Sequence, residues 1–260
     1  MDESRRALAV GAALSWEIAA IVAALRGCGA SVVEDRRRML WLGTVGSCPV
    51  LVYRTGVGIR AARKATRRML REHDVGFVLN TGCAGALTAG WAAGDIVTAQ
   101  AILGPPPTCE RLVIHGPIHQ MIGDLAPTVG RTPRTGTILT SLLPLFTAAQ
   151  KEEHGRAWGA HAVEMEGAGV ARAAAEAACG FASVRAILDP LRSDLPSPRL
   201  PGPPTTARQS LAKLSPRQAV RRVVLFRHQR FARASLRDFH EALFAALRRG
   251  TIDLDLLGLR

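Results

Sequence analysis

The sequence has few cysteines, almost no lysine, one tyrosine and no long apolar run. Its five cysteines (Cys28, Cys48, Cys83, Cys109 and Cys179) are scattered with no CxxC pair, so neither a disulfide framework nor a zinc site is supported. Apolar stretches are cut by Glu17, Asp95 or Glu166 before they reach the ~18 residues of a membrane span. The opening MDESRRALAV lacks the basic, apolar, small-residue order of a secretory signal. These absences set the expectation of a reduced, cytoplasmic protein with no metal ion. What is there is 48% hydrophobic and 21% charged, too apolar and too evenly mixed for a disordered polycation. At 260 residues the chain suffices for one large or two small domains.

The formal net charge is +13, and arginines outnumber lysines 31 to 3. With so much Ala and Gly, a coding bias that writes Arg wherever a cation is tolerated explains part of this. The excess is uneven: residues 1–190 hold 20 basic and 16 acidic residues, whereas 191–260 hold 14 and 5.

Short Val, Ile and Leu runs alternate with stretches of helical period, the pattern of an α/β protein with a buried sheet. Strands are expected near Ala7–Ala12, Met39–Leu42, Val50–Arg54, Gly76–Asn80, Asp95–Ala101, Thr137–Thr140, Ala160–Val163 and Phe181–Ile187. Helices fit Ser15–Leu25, Ile59–Glu72, Glu166–Ala178 and two segments after Pro216. Seven prolines between Pro190 and Pro216 rule out regular structure there. The expected division is an α/β domain over 1–190, a Pro-rich linker or lid over 191–216, and basic C-terminal helices over 217–260 that pack on the domain.

Several motifs carry chemistry. Asn80-Thr81-Gly82-Cys83-Ala84-Gly85 follows an apolar strand and reads either as a tight turn or as a loop whose N–H groups a ligand can approach. Gly56-Val57-Gly58 opens a helix but lacks the third Gly of GxGxxG and the Lys of a P-loop. Glu164 and Glu166 sit where a buried strand passes into a helix, and Asp189 ends the apolar run Phe181–Leu188. Acids there are costly unless a partner uses them, and strand ends line the crevice where open α/β folds bind ligands.

The ordered blocks Thr55-Gly56-Val57-Gly58, Leu79–Leu87, Gly94-Asp95-Ile96-Val97, Ala162–Ala168 and Val184–Asp189 resemble the nucleoside phosphorylase and nucleosidase superfamily over about residues 7–190. They are especially similar to methylthioadenosine/adenosylhomocysteine nucleosidases. The stretch from Thr140 through Gln150-Lys151 and the continuation Asp189-Pro190-Leu191-Arg192-Ser193-Asp194-Leu195-Pro196 look most like hopanoid-associated phosphorylases, which release adenine from adenosylhopane.

The resemblance implies a three-layer α/β/α fold around a central mixed, partly barrel-like sheet, and a homodimer acting on a small nucleoside. It assigns Asp189 to N7 of the departing purine and Glu166 to the ribose hydroxyls. Met165 falls against the sugar, Glu164 in a supporting role, and Cys83, Ala84 and Gly85 beside base and sugar. Glu17 matches the acid that orients water in family hydrolases, and equally fits a first-turn helix acid. Arg54 and Arg60 are candidates for phosphate, since Asn80 stands where many family phosphorylases have Arg. Hydrolysis is favoured over phosphorolysis, with no cofactor and phosphate as the alternative co-substrate. The expected activity is adenine release from a 5′-substituted adenosine, foremost adenosylhopane. Methylthioadenosine/adenosylhomocysteine nucleosidase and purine nucleoside phosphorylase are the alternatives within the family. A non-catalytic nucleoside binder or a basic nucleic-acid-binding protein is the alternative outside it, although the basic tail carries no recognisable reading motif. Arg217–Arg233 reads as a basic amphipathic element suited to an anionic membrane, placing the protein in the cytoplasm at the inner membrane face.

Overall fold

Val75–Ala86 is the longest strand, with eleven of its twelve residues buried, and the sheet is organised around it. The computed structural model describes residues 6–107, 110–125, 133–195 and 216–260. In chain order the elements are β1 (Ala7–Ala12), α1 (Ser15–Gly27), β2 (Val33–Asp35), β3 (Leu40–Val45), β4 (Cys48–Arg54), α2 (Ile59–Glu72), β5 (Val75–Ala86), β6 (Ile96–Leu103), β7 (Arg111–Val113), α3 (Gly116–Asp124), β8 (Pro133–Thr140), α4 (Ala148–Trp158), β9 (Ala162–Glu164), α5 (Gly167–Glu176), β10 (Gly180–Asp189) and α6 (Pro216–Arg249).

The strand order is β10-β6-β8-β9-β5-β1-β4-β3-β2, and β10 also pairs with β5. That extra pairing closes β5, β9, β8, β6 and β10 into a ring, while β1, β4, β3 and β2 continue as an open sheet. Parallel and antiparallel pairs mix, so the sheet is the partial barrel expected. One apolar cluster joins the sheet to α1, α3 and α6, and another joins it to α2 and α5. Helices therefore cover both faces, and strands β1, β5 and β6 are correspondingly buried along nearly their whole length.

Along one edge of β5, β1 pairs as far as Asn80 and β9 takes over at Gly85. Thr81–Ala84 lie between these two partners, with no strand paired to them on that side. This is the point where neighbouring strands diverge, and it opens a crevice at the strand ends.

The two helices expected after Pro216 are one helix of 34 residues. Pro216 begins it, no Gly or Pro interrupts it, and Gly250 ends it at φ 69°. Four elements were not anticipated: β2, β7, α3 and α4. The Pro-rich segment lies, from 196 to 215, outside the described residues, as does Cys109.

Candidate active site

Four carboxylates from three parts of the chain line one cavity of about 180 Å³: Glu17, Glu164 and Glu166, and Asp189. All four are at most 6% exposed. Ala13, Cys83, Ala84, Gly85 and Met165 share its wall, and Val57, Leu143, Pro144, Leu145, Leu188 and Leu195 supply an apolar rim.

Glu17 stands in the first turn of α1 but does not face solvent. One oxygen accepts from the N–H of Leu14 (2.8 Å) and of Ala13 (3.2 Å). The other accepts from Cys83 N–H on the unpaired edge of β5 at 2.8 Å. Capping thus consumes one oxygen and fixes the other across the crevice. Burial raises its pKa, against the pull of these N–H donors and Arg185.

Glu164 ends β9 and receives Thr140 Oγ1 (2.7 Å), Glu166 N–H (2.9 Å) and Gly167 N–H (2.7 Å). It is also ion-paired with Arg185, which is 1% exposed and donates to Thr81 O at 3.2 Å. Glu164 is therefore the anchor of the α5 N-terminus. Glu166, relieved of that duty, accepts from Gly58 N–H at 2.9 Å and reaches Arg185 only at 3.9 Å. Burial first, and the Glu164 charge second, push its pKa up to about 7. The Gly56-Val57-Gly58 turn thus directs its free helix N–H at a protein carboxylate.

Asp189 closes β10 after a register shift at Ile187, opposite Gly85. Lys151 Nζ, on α4 and fully buried, contacts its Oδ2 at 2.6 Å and also donates to Pro190 O (3.1 Å) and Ser193 O (2.7 Å). Burial nonetheless raises the Asp189 pKa, with the ammonium opposing it. Gly85 provides the room: a Cβ there would stand 2.9 Å from Asp189 Oδ2.

The structure brings eight of the sequence-derived candidates to this cavity: Glu17, Cys83, Ala84, Gly85, Glu164, Met165, Glu166 and Asp189. The Cys83 thiol is pushed well above its ordinary pKa by burial and by Glu17, so it is not poised as a thiolate. Arg54 and Arg60 are elsewhere. Arg54 donates to Ala13 O at 3.1 Å from a separate cavity of about 310 Å³. That larger space is rimmed by Arg37, Arg38, Arg68 and His73 and holds no buried carboxylate. Arg60 is exposed on α2 among other cations. Lys151 and Arg185 are the partners that sequence reading missed. A lysine in a chain that otherwise uses arginine, and an arginine inside an apolar strand, were the available signals. Among the described residues, no three His, Cys, Asp or Glu side chains are grouped to hold a metal.

Three kinds of comparison bear on the family and the fold. The family model described as the phosphorylase superfamily matches residues 7–215. A 5′-methylthioadenosine/S-adenosylhomocysteine nucleosidase of Shewanella oneidensis is 30% identical over 90 residues, 35% of this chain and 37% of that protein. The aligned part therefore spans just over a third of that relative. Among solved structures, the S-adenosylhomocysteine nucleosidase of Streptococcus pyogenes in complex with 5-methylthiotubericidin superposes with TM-score 0.72 at 17% identity, covering 96% of this chain and 99% of the other. The futalosine hydrolase of Helicobacter pylori gives 0.70 at 16% identity, covering 95% and 98%.

Proposed function

The chain belongs to the phosphorylase superfamily, and from that premise we propose that it is a nucleosidase hydrolysing the N-glycosidic bond of an adenine nucleoside. The substrate we put first carries an apolar 5′ substituent, as adenosylhopane does. The observation that carries the choice of water is the cavity wall: four carboxylates and, among the described residues, no Lys, Arg or His. Among the described residues a phosphate dianion there finds no unpaired cation, since Lys151 and Arg185 behind the wall are already paired with Asp189 and Glu164, whereas water needs only the Glu17 carboxyl.

In this reading Asp189, whose pKa burial raises against the pull of the Lys151 ammonium, gives a proton to the departing purine as the C1′–N bond breaks. Glu166 accepts from the ribose hydroxyls. Glu17, held by three N–H groups, takes a proton from the water whose oxygen bonds to C1′. The carboxylates left charged favour the positive charge that develops on the sugar. The apolar rim supports the choice of 5′ group, and the named nucleosidases among the similar proteins support the choice of base and reaction.

The test is adenine release from adenosylhopane, methylthioadenosine and adenosylhomocysteine, each with and without phosphate. Equal rates with and without phosphate, with adenosylhopane preferred, are expected. A strict phosphate requirement would replace hydrolysis by phosphorolysis, and preference for methylthioadenosine would replace the lipid-linked substrate by a soluble one.

A further inference from the structure

Val220, Val223 and Phe226 are 62%, 63% and 63% exposed, a rare state for three large apolar side chains in neighbouring helical turns. They occupy the first turns of α6. At 3.6 residues per turn they share one side of that helix with Arg227 and Arg230. The opposite side holds Ala232, Leu236 and Phe239, all fully buried against the body. No acidic residue occurs anywhere from Leu195 to Arg237. The outward side is thus aliphatic and aromatic surface studded with arginine alone.

The composition of this side selects its partner. Phe226 is the one ring this side offers for base stacking beside two valines, which disfavours a nucleic acid. A second copy meeting it by two-fold symmetry would bring both pairs of Arg227 and Arg230 into one interface with no acid on this side to pair them. An anionic bilayer satisfies both components, since apolar side chains enter the acyl boundary while guanidinium groups remain at the headgroups. Arg221, on the second turn, binds Asp194 at 2.8 Å, and the next residue, Leu195, lines the acid-walled cavity. Leu142 and Leu143, 63% and 72% exposed, add apolar surface there, with Leu143 on the rim.

We propose that the outward side of the first turns of α6 is a peripheral docking surface for anionic lipid, on a helix whose other side is tied through Arg221 and Asp194 to the edge of the cavity. It rests on α6 itself and not on the reaction, so its test uses no substrate.

The full chain is sedimented with phosphatidylcholine vesicles, alone or containing phosphatidylglycerol, at low and high salt. Binding to the anionic vesicles at low salt, and little to the neutral ones, is expected. Arg227→Gln with Arg230→Gln should weaken it by about fivefold for each charge removed. Val223→Ser with Phe226→Ser keeps every charge and should weaken it roughly tenfold or more. Unchanged melting temperatures show that the variants fold. The proposal is overturned if wild type ignores anionic vesicles or binds neutral ones as well, or if the serine pair binds like wild type. It is equally overturned if the serine pair only converts a dimer into a monomer on sizing.

Discussion

Asp189 and Lys151 show what single residues contribute that periodicity could not reveal. Asp189 was legible because an acid ending an apolar strand needs a reason. Lys151 was not, because its partner is remote in sequence and sits at the end of a strand, whereas Lys151 rides on a helix. The pair separates catalysis from folding. Asp189→Asn removes the proton donor and should slow adenine release by about 10²- to 10⁴-fold. It also leaves the Lys151 ammonium buried with carbonyls and no counter-ion, a loss of about 3–5 kcal/mol. Asp189→Asn with Lys151→Met should recover much of that stability in urea unfolding and none of the activity. Lys151→Met alone tests the electrostatics. The ammonium lowers the Asp189 pKa, so removing it raises that pKa further and keeps the acid protonated to higher pH. The alkaline limb of the rate profile should therefore move upward, and a downward move would deny Asp189 the role of acid.

Elements were legible where local pattern decides them. Helix α2 spans Ile59–Glu72 as expected, since a Gly turn starts it and a polar cluster follows it. Helix α4 was missed although Thr147 and Gln150 form a capping box, a signal present in the sequence. The division of α6 into two helices was wrong. The backbone has no residue there that would break it. The contact between β5 and β10 was invisible, being a matter of strand pairing. It makes Gly85 a spacer for a side chain of the neighbouring strand, a role distinct from lining the ligand site. Gly85→Ala should therefore displace the Asp189 carboxyl, with a loss of adenine release approaching that of Asp189→Asn. Its effect on melting should be only that of one strained contact, about 1–3 kcal/mol. Activity near wild type would mean that Asp189 works from another position.

At the scale of the whole molecule the +13 charge describes the surface, while the interior gathers acids whose protonation is linked to folding. Glu166 titrates at about 7 in the folded chain against an ordinary value of 4.5, so the folded state holds a proton there that the unfolded state has lost. Stability from this group is full below pH 4.5 and falls as pH rises to about 7, by on the order of 3 kcal/mol. Glu17 and Asp189 are shifted the same way by burial. His240 opposes them. Enclosed by Phe239 and Phe244, with Nδ1 on Leu236 O, it is held down to about 4 from 6.5. As pH falls from 6.5 to 4 the unfolded chain gains a proton that folded His240 refuses, and stability is lost on a similar scale. The exposed Glu72 and Glu176, lowered by their arginine partners, matter only in still more acid solution. Glu166 and His240 thus nearly cancel between pH 4.5 and 6.5, leaving the slope to Glu17 and Asp189, with Asp238 shifted by burial in the same sense and His228 in the opposite one. The melting temperature should consequently be no lower at pH 5.5 than at pH 8, the reverse of a protein held by salt-bridged carboxylates. Two variants resolve the contributions. Glu166→Gln keeps an acceptor for Gly58 N–H but carries no charge, so it should raise the melting temperature at pH 8 and leave it unchanged at pH 4.5, while impairing adenine release. His240→Phe removes the opposing group and should stabilise more at pH 5 than at pH 8. If Glu166→Gln destabilises at pH 8, the Glu166 carboxylate is held by Arg185 more tightly than its 3.9 Å separation implies, and the contribution of Glu166 to the curve changes sign.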